Sequence, residues 1–328
     1  MAQLTGKLGS WDLPHVHMWK DRDREIRFER HPLIGPTAKI ATIGSCFAAK
    51  LAAAMSRCGL QGAMHPTGLF YTTRSIRQEI DRIFGGWDGY NQEPSWTTSR
   101  GFIHPFKDYH RAFASQSALQ QWSDELDAHG AHLFRTADVV VITLGLIESW
   151  WNPATGNHYR QIPHPEVFST LSPRFTRLTA GEMREDLEAI RAALRRHTRA
   201  EIILTVSPIP LHATVTPSDV RIANTESKHR IRAAVSEFVE THADVHYFHS
   251  YEIVTTAERP SDFVLEDGRH IARHAVDYIV QQFMAMFAAD DVEVPSIDSL
   301  WLTGPTKTAA GIRPRGSRWT SLRRVLGR

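Results

Sequence analysis

A chain of 328 residues, 42% hydrophobic and 23% charged, is long enough for one large domain with insertions, and a disordered polymer is excluded. The net charge of +2 argues against nucleic acid or another polyanion as partner, and two cysteines, Cys46 and Cys58, exclude a disulfide framework and favour a reducing compartment. No run of about 18 apolar residues occurs and the first residues lack a secretory apolar centre, so no membrane span is expected and the expected location is cytoplasmic.

Residues 1–37 are polar, rich in His and Arg, and read as an extension lying over a core. The first strong signal is the β-prone run 39–43, which ends at Gly44-Ser45. An alanine-rich helical stretch follows to about Arg57, giving a strand, a sharp turn and a helix. A second short strand is expected near 62–65, and helical spacing runs over 74–84. Residues 85–112 fit no regular period; with a helix expected over 115–129 they make an insertion near 85–132.

Residues 138–144, DVVVITL, read as a strand buried on both faces, ending at Gly145. A second irregular stretch covers 146–178. Thr179 and Glu182 then form a capping box ahead of Met183, Leu187, Ile190 and Leu194 at helical spacing. A buried strand is expected over 201–206, a helix through Ile231, Val235 and Phe238, and a fifth strand over 245–248. The last helix is expected to start near His270 and to turn Val276, Ile279, Val280 and Phe283 inward. Residues 289–328 read as a basic, mobile tail, with seven Lys or Arg and no acid after about residue 303. Strands separated by helices require parallel pairing and right-handed crossovers, so the expected fold is an α/β three-layer sandwich around a five-stranded parallel sheet of order 2-1-3-4-5.

Such a sheet binds ligands beyond the carboxyl ends of its strands. Ser45 stands there, at a helix N-terminus, where amides and the helix dipole favour a developing negative charge. Taken alone it reads first as a helix N-cap, since Gly-Ser after a strand is a weak signal. Asp267 and His270 are three residues apart, so the carboxylate can hold one imidazole nitrogen and leave the other for a serine proton. Ser45 as nucleophile, His270 as base and Asp267 as its orienter make the expected catalytic set, with Ser45 Oγ and His270 within hydrogen-bond reach, or close to it in an unliganded form. His270 and His274 have metal-ligand spacing, but no third ligand accompanies them, so no metal and no cofactor are expected. Cys46 is expected to point away from Ser45 and pack as a small apolar residue. Trp150-Trp151 reads either as a sugar-stacking platform or as packing, and the tail residues Trp319, Leu322 and Leu326 either as an anion-binding segment or as a solvated one.

Gly44-Ser45-Cys46-Phe47-Ala48 spells the motif that names the GSCFA domain family, and Thr143-Leu-Gly-Leu-Ile-Glu-Ser-Trp150 resembles that family's second signature, of the form TLGxxExW. The resemblance spans roughly 35–288 and places a GSCFA domain over 38–288. The family is similar to SGNH, or GDSL-like, hydrolases. That likeness implies a flavodoxin-like topology, a Ser nucleophile in the first block, an Asp-x-x-His in the last, and an oxyanion glycine at Gly68. It implies an esterase acting on an acylated glycan or small ester, with an acyltransferase or a non-catalytic carbohydrate binder as alternatives. Gly145, Glu148 and Trp150 would line the oxyanion and substrate site. One departure stands out: SGNH enzymes place Asn just after the third-strand glycine, and here Gly145 is followed by Leu146, Ile147 and Glu148.

Overall fold

The computed structural model describes residues 26, 28–87, 92–108, 110–257 and 260–293. Most of the expected N-terminal extension and nearly all of the basic tail lie outside the described residues. Five parallel strands form the central sheet: β1 (Lys39–Gly44), β2 (Gln61–Met64), β5 (Val139–Leu144), β9 (Glu201–Val206) and β10 (Val245–Phe248). Their order is β2-β1-β5-β9-β10, the expected 2-1-3-4-5 arrangement. The fold is a three-layer, flavodoxin-like α/β sandwich.

Alternation along the strands decides which helix each residue meets. Ile40, Val139, Val141 and Ile203 face α1 (Cys46–Arg57) and α8 (Arg273–Phe287). Ala41, Val140, Ile142 and Leu204 face α2 (Thr73–Ile83), α3 (Gln116–Thr136), α5 (Ala180–His197) and α6 (Val220–Thr241). All six residues of β5 are buried, which is why 138–144 carries no polar alternation. On α1, Phe47, Leu51 and Met55 are buried, and each such side chain contributes about 1.5–3 kcal/mol. That packing holds Ser45, at the head of the helix, in place.

The two irregular stretches contain structure that apolar periodicity does not reveal. The first holds a hairpin of β3 (Trp96–Thr98) and β4 (Gly101–Ile103), and α3 runs to Thr136, well beyond residue 129. The second holds a small antiparallel sheet of order β7-β6-β8, from β6 (Glu148–Trp151), β7 (His158–Tyr159) and β8 (Arg174–Arg177), together with α4 (Pro165–Leu171). Strands of two to four residues are too short to show a period; they are held by packing among Trp96, Phe106, Trp150 and Tyr159. A short helix, α7 (Ser250–Thr255), follows β10. The last helix begins at Arg273, so His270 sits in the loop before it. Residues 31–34 and 289 are bonded to each other and to the end of α8: His31 N–H donates to Met286 O (2.8 Å), Leu33 N–H to Phe287 O (2.8 Å) and Ala289 N–H to Ile34 O (2.9 Å).

Candidate active site

Gly44 and Ser45 form the turn from β1 into α1. Gly44 has φ +131°, and a Cβ there would lie 2.1 Å from Thr143 O, so only glycine lets β1 run this close to β5. The Ser45 amide forks to Thr143 Oγ1 (2.8 Å) and Thr143 O (3.1 Å). Ser45 Oγ shares a 3.0 Å hydrogen bond with Thr143 Oγ1 and accepts from the Phe47 amide at 3.3 Å. The serine therefore does cap α1, and its hydroxyl is aligned by a second hydroxyl from the neighbouring strand. It is 2% exposed, at the floor of a cavity of about 800 Å³. That volume falls in the range of about 300–1,000 Å³ found for small-molecule sites.

Asp267 and His270 form the expected pair. His270 Nδ1 bonds Asp267 Oδ2, while Asp267 Oδ1 accepts from the amides of Arg269 (3.0 Å) and His270 (2.9 Å). These bonds, that from the His270 ring first, hold the Asp267 carboxyl well below the usual carboxylate range. His270 Nε2 meets Arg269 Nη1 at 2.9 Å. A guanidinium can only donate, so Nε2 is the acceptor and Nδ1–H points at Asp267. This is the tautomer a general base needs. Among the described residues no hydrogen bond joins Ser45 Oγ to His270: Ser45 Oγ is bonded to Thr143 and Phe47, and the His270 ring to Asp267 and Arg269. Arg269 occupies the base nitrogen, and Arg269, rather than His270, lines the cavity.

A family model described as the GSCFA family matches residues 39–283. The chain belongs to the GSCFA family. No curated protein matches it closely enough to carry an argument. In this GSCFA protein the motif's glycine and serine thus have a physical reason: one permits the close approach of β1 to β5, and the other heads α1 beneath the cavity.

The remaining expected residues are used unevenly. Gly145 lines the cavity, and a Cβ there would meet Tyr71 Cδ1 at 3.3 Å and Ser45 Cβ at 3.4 Å, so this glycine packs directly beside the serine. The amides of Gly145 and Leu146 both donate to Tyr71 O at 3.0 Å. Gly68 does not line the cavity, and its amide donates to His65 O at 3.3 Å, so that amide is engaged in a turn. Trp150 lines the cavity edge-on to Phe168 and Phe175, while Trp151 stacks on His158 away from it. Cys46 is half-buried against the α1–α8 core yet also lines the cavity beside Ser45. Burial pushes its thiol up, with Arg269, Lys50 and Lys228 opposing, which disfavours the thiolate a rival nucleophile would need. Among the described residues no three His, Cys, Asp or Glu side chains gather as a metal site.

Glu148 accepts from Thr214 Oγ1 at 2.5 Å and from the Val215 amide, so it ties β6 to the loop that follows β9. Burial pushes its carboxyl up, and the Thr214 bond opposes the shift. Glu148→Gln keeps an acceptor for Thr214 and is expected to cost little, whereas Glu148→Ala should lower stability by about 1–3 kcal/mol, read by chemical denaturation. Equal losses in both variants would instead point to the charge itself.

Lys228 escaped the sequence reading. It is 1% exposed on α6, and Nζ donates to Gly145 O (2.7 Å) and Ile209 O (3.0 Å), two carbonyls of cavity-lining residues. Burial pushes its ammonium down to about 7. The signal was available: Lys228 stands on the same helical stripe as Ile231, Val235 and Phe238, where a charge is out of place. Lys228→Met should leave both carbonyls unsatisfied, each costing about 1–3 kcal/mol, and loosen the Gly145 loop. A lowered melting temperature is expected; unchanged stability would show that water replaces the ammonium.

Proposed function

We propose that this protein is a serine acyl hydrolase of the SGNH kind, acting on an O-acylated glycan or small ester through an acyl-enzyme. The observation that carries this reading is the Asp267–His270 pair, fixed with Nε2 as proton acceptor, on the same sheet edge as a capped serine at the floor of a cavity. Ser45 Oγ attacks the ester carbonyl carbon as its proton passes to His270 Nε2. The carbonyl oxygen becomes the oxyanion, facing the head of α1 and its dipole, with the Arg269 guanidinium in the same wall. The alcohol leaves with the proton from His270, and water, deprotonated by the same imidazole, releases the acid and restores Ser45.

An acyltransferase follows if a sugar hydroxyl takes the place of water. The rival from another class, a carbohydrate-binding protein of SGNH shape, draws on the unbonded Ser45–His270 pair. Covalent labelling of Ser45 by a fluorophosphonate decides between enzyme and binder, and product analysis with and without an acceptor sugar decides between hydrolase and transferase. No described helix is long and apolar enough to cross a membrane, and both cysteines are free, which suits a reducing compartment.

A further inference from the structure

The cavity is cationic. Among the described residues Arg100, Arg160 and Arg269 line it against a single carboxylate, Glu148, while burial pushes the imidazoles of His164 and His212 down, toward their neutral form. Glu148 is already engaged by Thr214 and Val215. Arg100 reaches over from the β3–β4 turn and bonds His110 O at 2.6 Å; Arg160 Nη1 bonds Thr67 O at 2.6 Å. Arg269 comes from the loop before α8, with its Nε buried and lacking a hydrogen-bond partner. Neither Arg100 nor Arg269 pairs with a carboxylate among the described residues. Glu166 is held chiefly by the Ser99 amide (2.6 Å) and hydroxyl (2.9 Å), and its carboxylate offsets the Arg100 charge only in part. Guanidinium groups that line one cavity with few counter-charges repel each other, and that cost is relieved when an anion enters.

We propose that the substrate of this site carries an anionic group, a carboxylate or a phosphate, that binds between Arg100 and Arg269. The inference rests on the acyl-hydrolase reading of the same cavity and names the class of ester: one whose acyl or alcohol part is charged. A planar guanidinium pairs with either anion through two parallel bonds, which a lysine ammonium does not. The arrangement also gives the Arg269–His270 contact a use. An anion that draws the Arg269 guanidinium toward itself frees His270 Nε2 for the Ser45 proton. A neutral ester would leave the base capped.

The test is a ligand-observed NMR titration of the full chain at low ionic strength with phenyl phosphate, benzoate and benzyl alcohol, whose ring suits the Trp150–Phe168 wall. At least one anion should bind about tenfold or more tightly than the alcohol, the equivalent of one charge-assisted hydrogen bond. The margin should shrink in high salt and fall several-fold in Arg100→Gln and Arg269→Gln. Whichever anion binds tighter identifies phosphate or carboxylate. Equal binding of all three, or a margin undiminished in the double variant at unchanged melting temperature, overturns the inference. Arg100 is exposed, so its variant folds even if the double variant does not, and an undiminished margin in that single variant overturns the inference equally. Fluorophosphonate labelling of Ser45 separates the two ideas. Labelling without an anion preference overturns this inference alone, and a preference without labelling removes only the hydrolase.

Discussion

Ser45→Ala should eliminate fluorophosphonate labelling and lower ester turnover by roughly 10⁴–10⁶-fold, the loss seen when a serine nucleophile is removed from an intact site. The fold should survive. The deleted oxygen accepts from Phe47 N–H and bonds Thr143 Oγ1, while the Ser45 amide keeps its forked bond to Thr143. Losing a helix cap of this kind costs about 1 kcal/mol, enough for a modest drop in melting temperature. Activity and stability therefore separate: near-total loss of one, a small loss of the other. Turnover that persists in Ser45→Ala, on any ester the wild type hydrolyses, would remove Ser45 from the mechanism and leave it an N-cap.

The second large effect belongs to the residue before it. Gly44→Ala should cost stability on the order of 3 kcal/mol or more and abolish labelling in whatever remains folded. Two causes add. The φ of +131° is strained for any residue with a side chain. The new methyl would also meet Thr143 O at 2.1 Å and Thr143 C at 2.9 Å. Those are backbone atoms of the central strand, so no rotamer change relieves the contact. β1 must move away from β5, and the move breaks the Ser45–Thr143 bonds that aim the hydroxyl. Urea denaturation with labelling in parallel reads both effects. A Gly44→Ala protein with wild-type stability would mean that β1 and β5 tolerate a separation their register does not suggest.

Sequence alone determined the frame of this protein because the frame depends on short-range pattern. The runs 39–43, 138–144 and 201–206 are apolar for nearly their full length, since strands covered on both faces have no solvent side. Helical stripes between them then leave one parallel topology. The pairing of Asp267 with His270 was equally legible, being a contact within a single turn. Tertiary structure alone decided what surrounds the serine. Thr143, Tyr71, Lys228 and Arg100 lie 98, 26, 183 and 55 positions from Ser45, and no spacing rule links residues brought together by a crossover. The β6–β8 sheet and the β3–β4 hairpin were illegible because strands of two to four residues hold no periodic signal and form only when aromatic packing completes them. The charge of the cavity was hidden for the same reason: a net +2 spread over 328 residues says nothing of where three arginines meet, and only the fold places them around one space with a single, already bonded carboxylate.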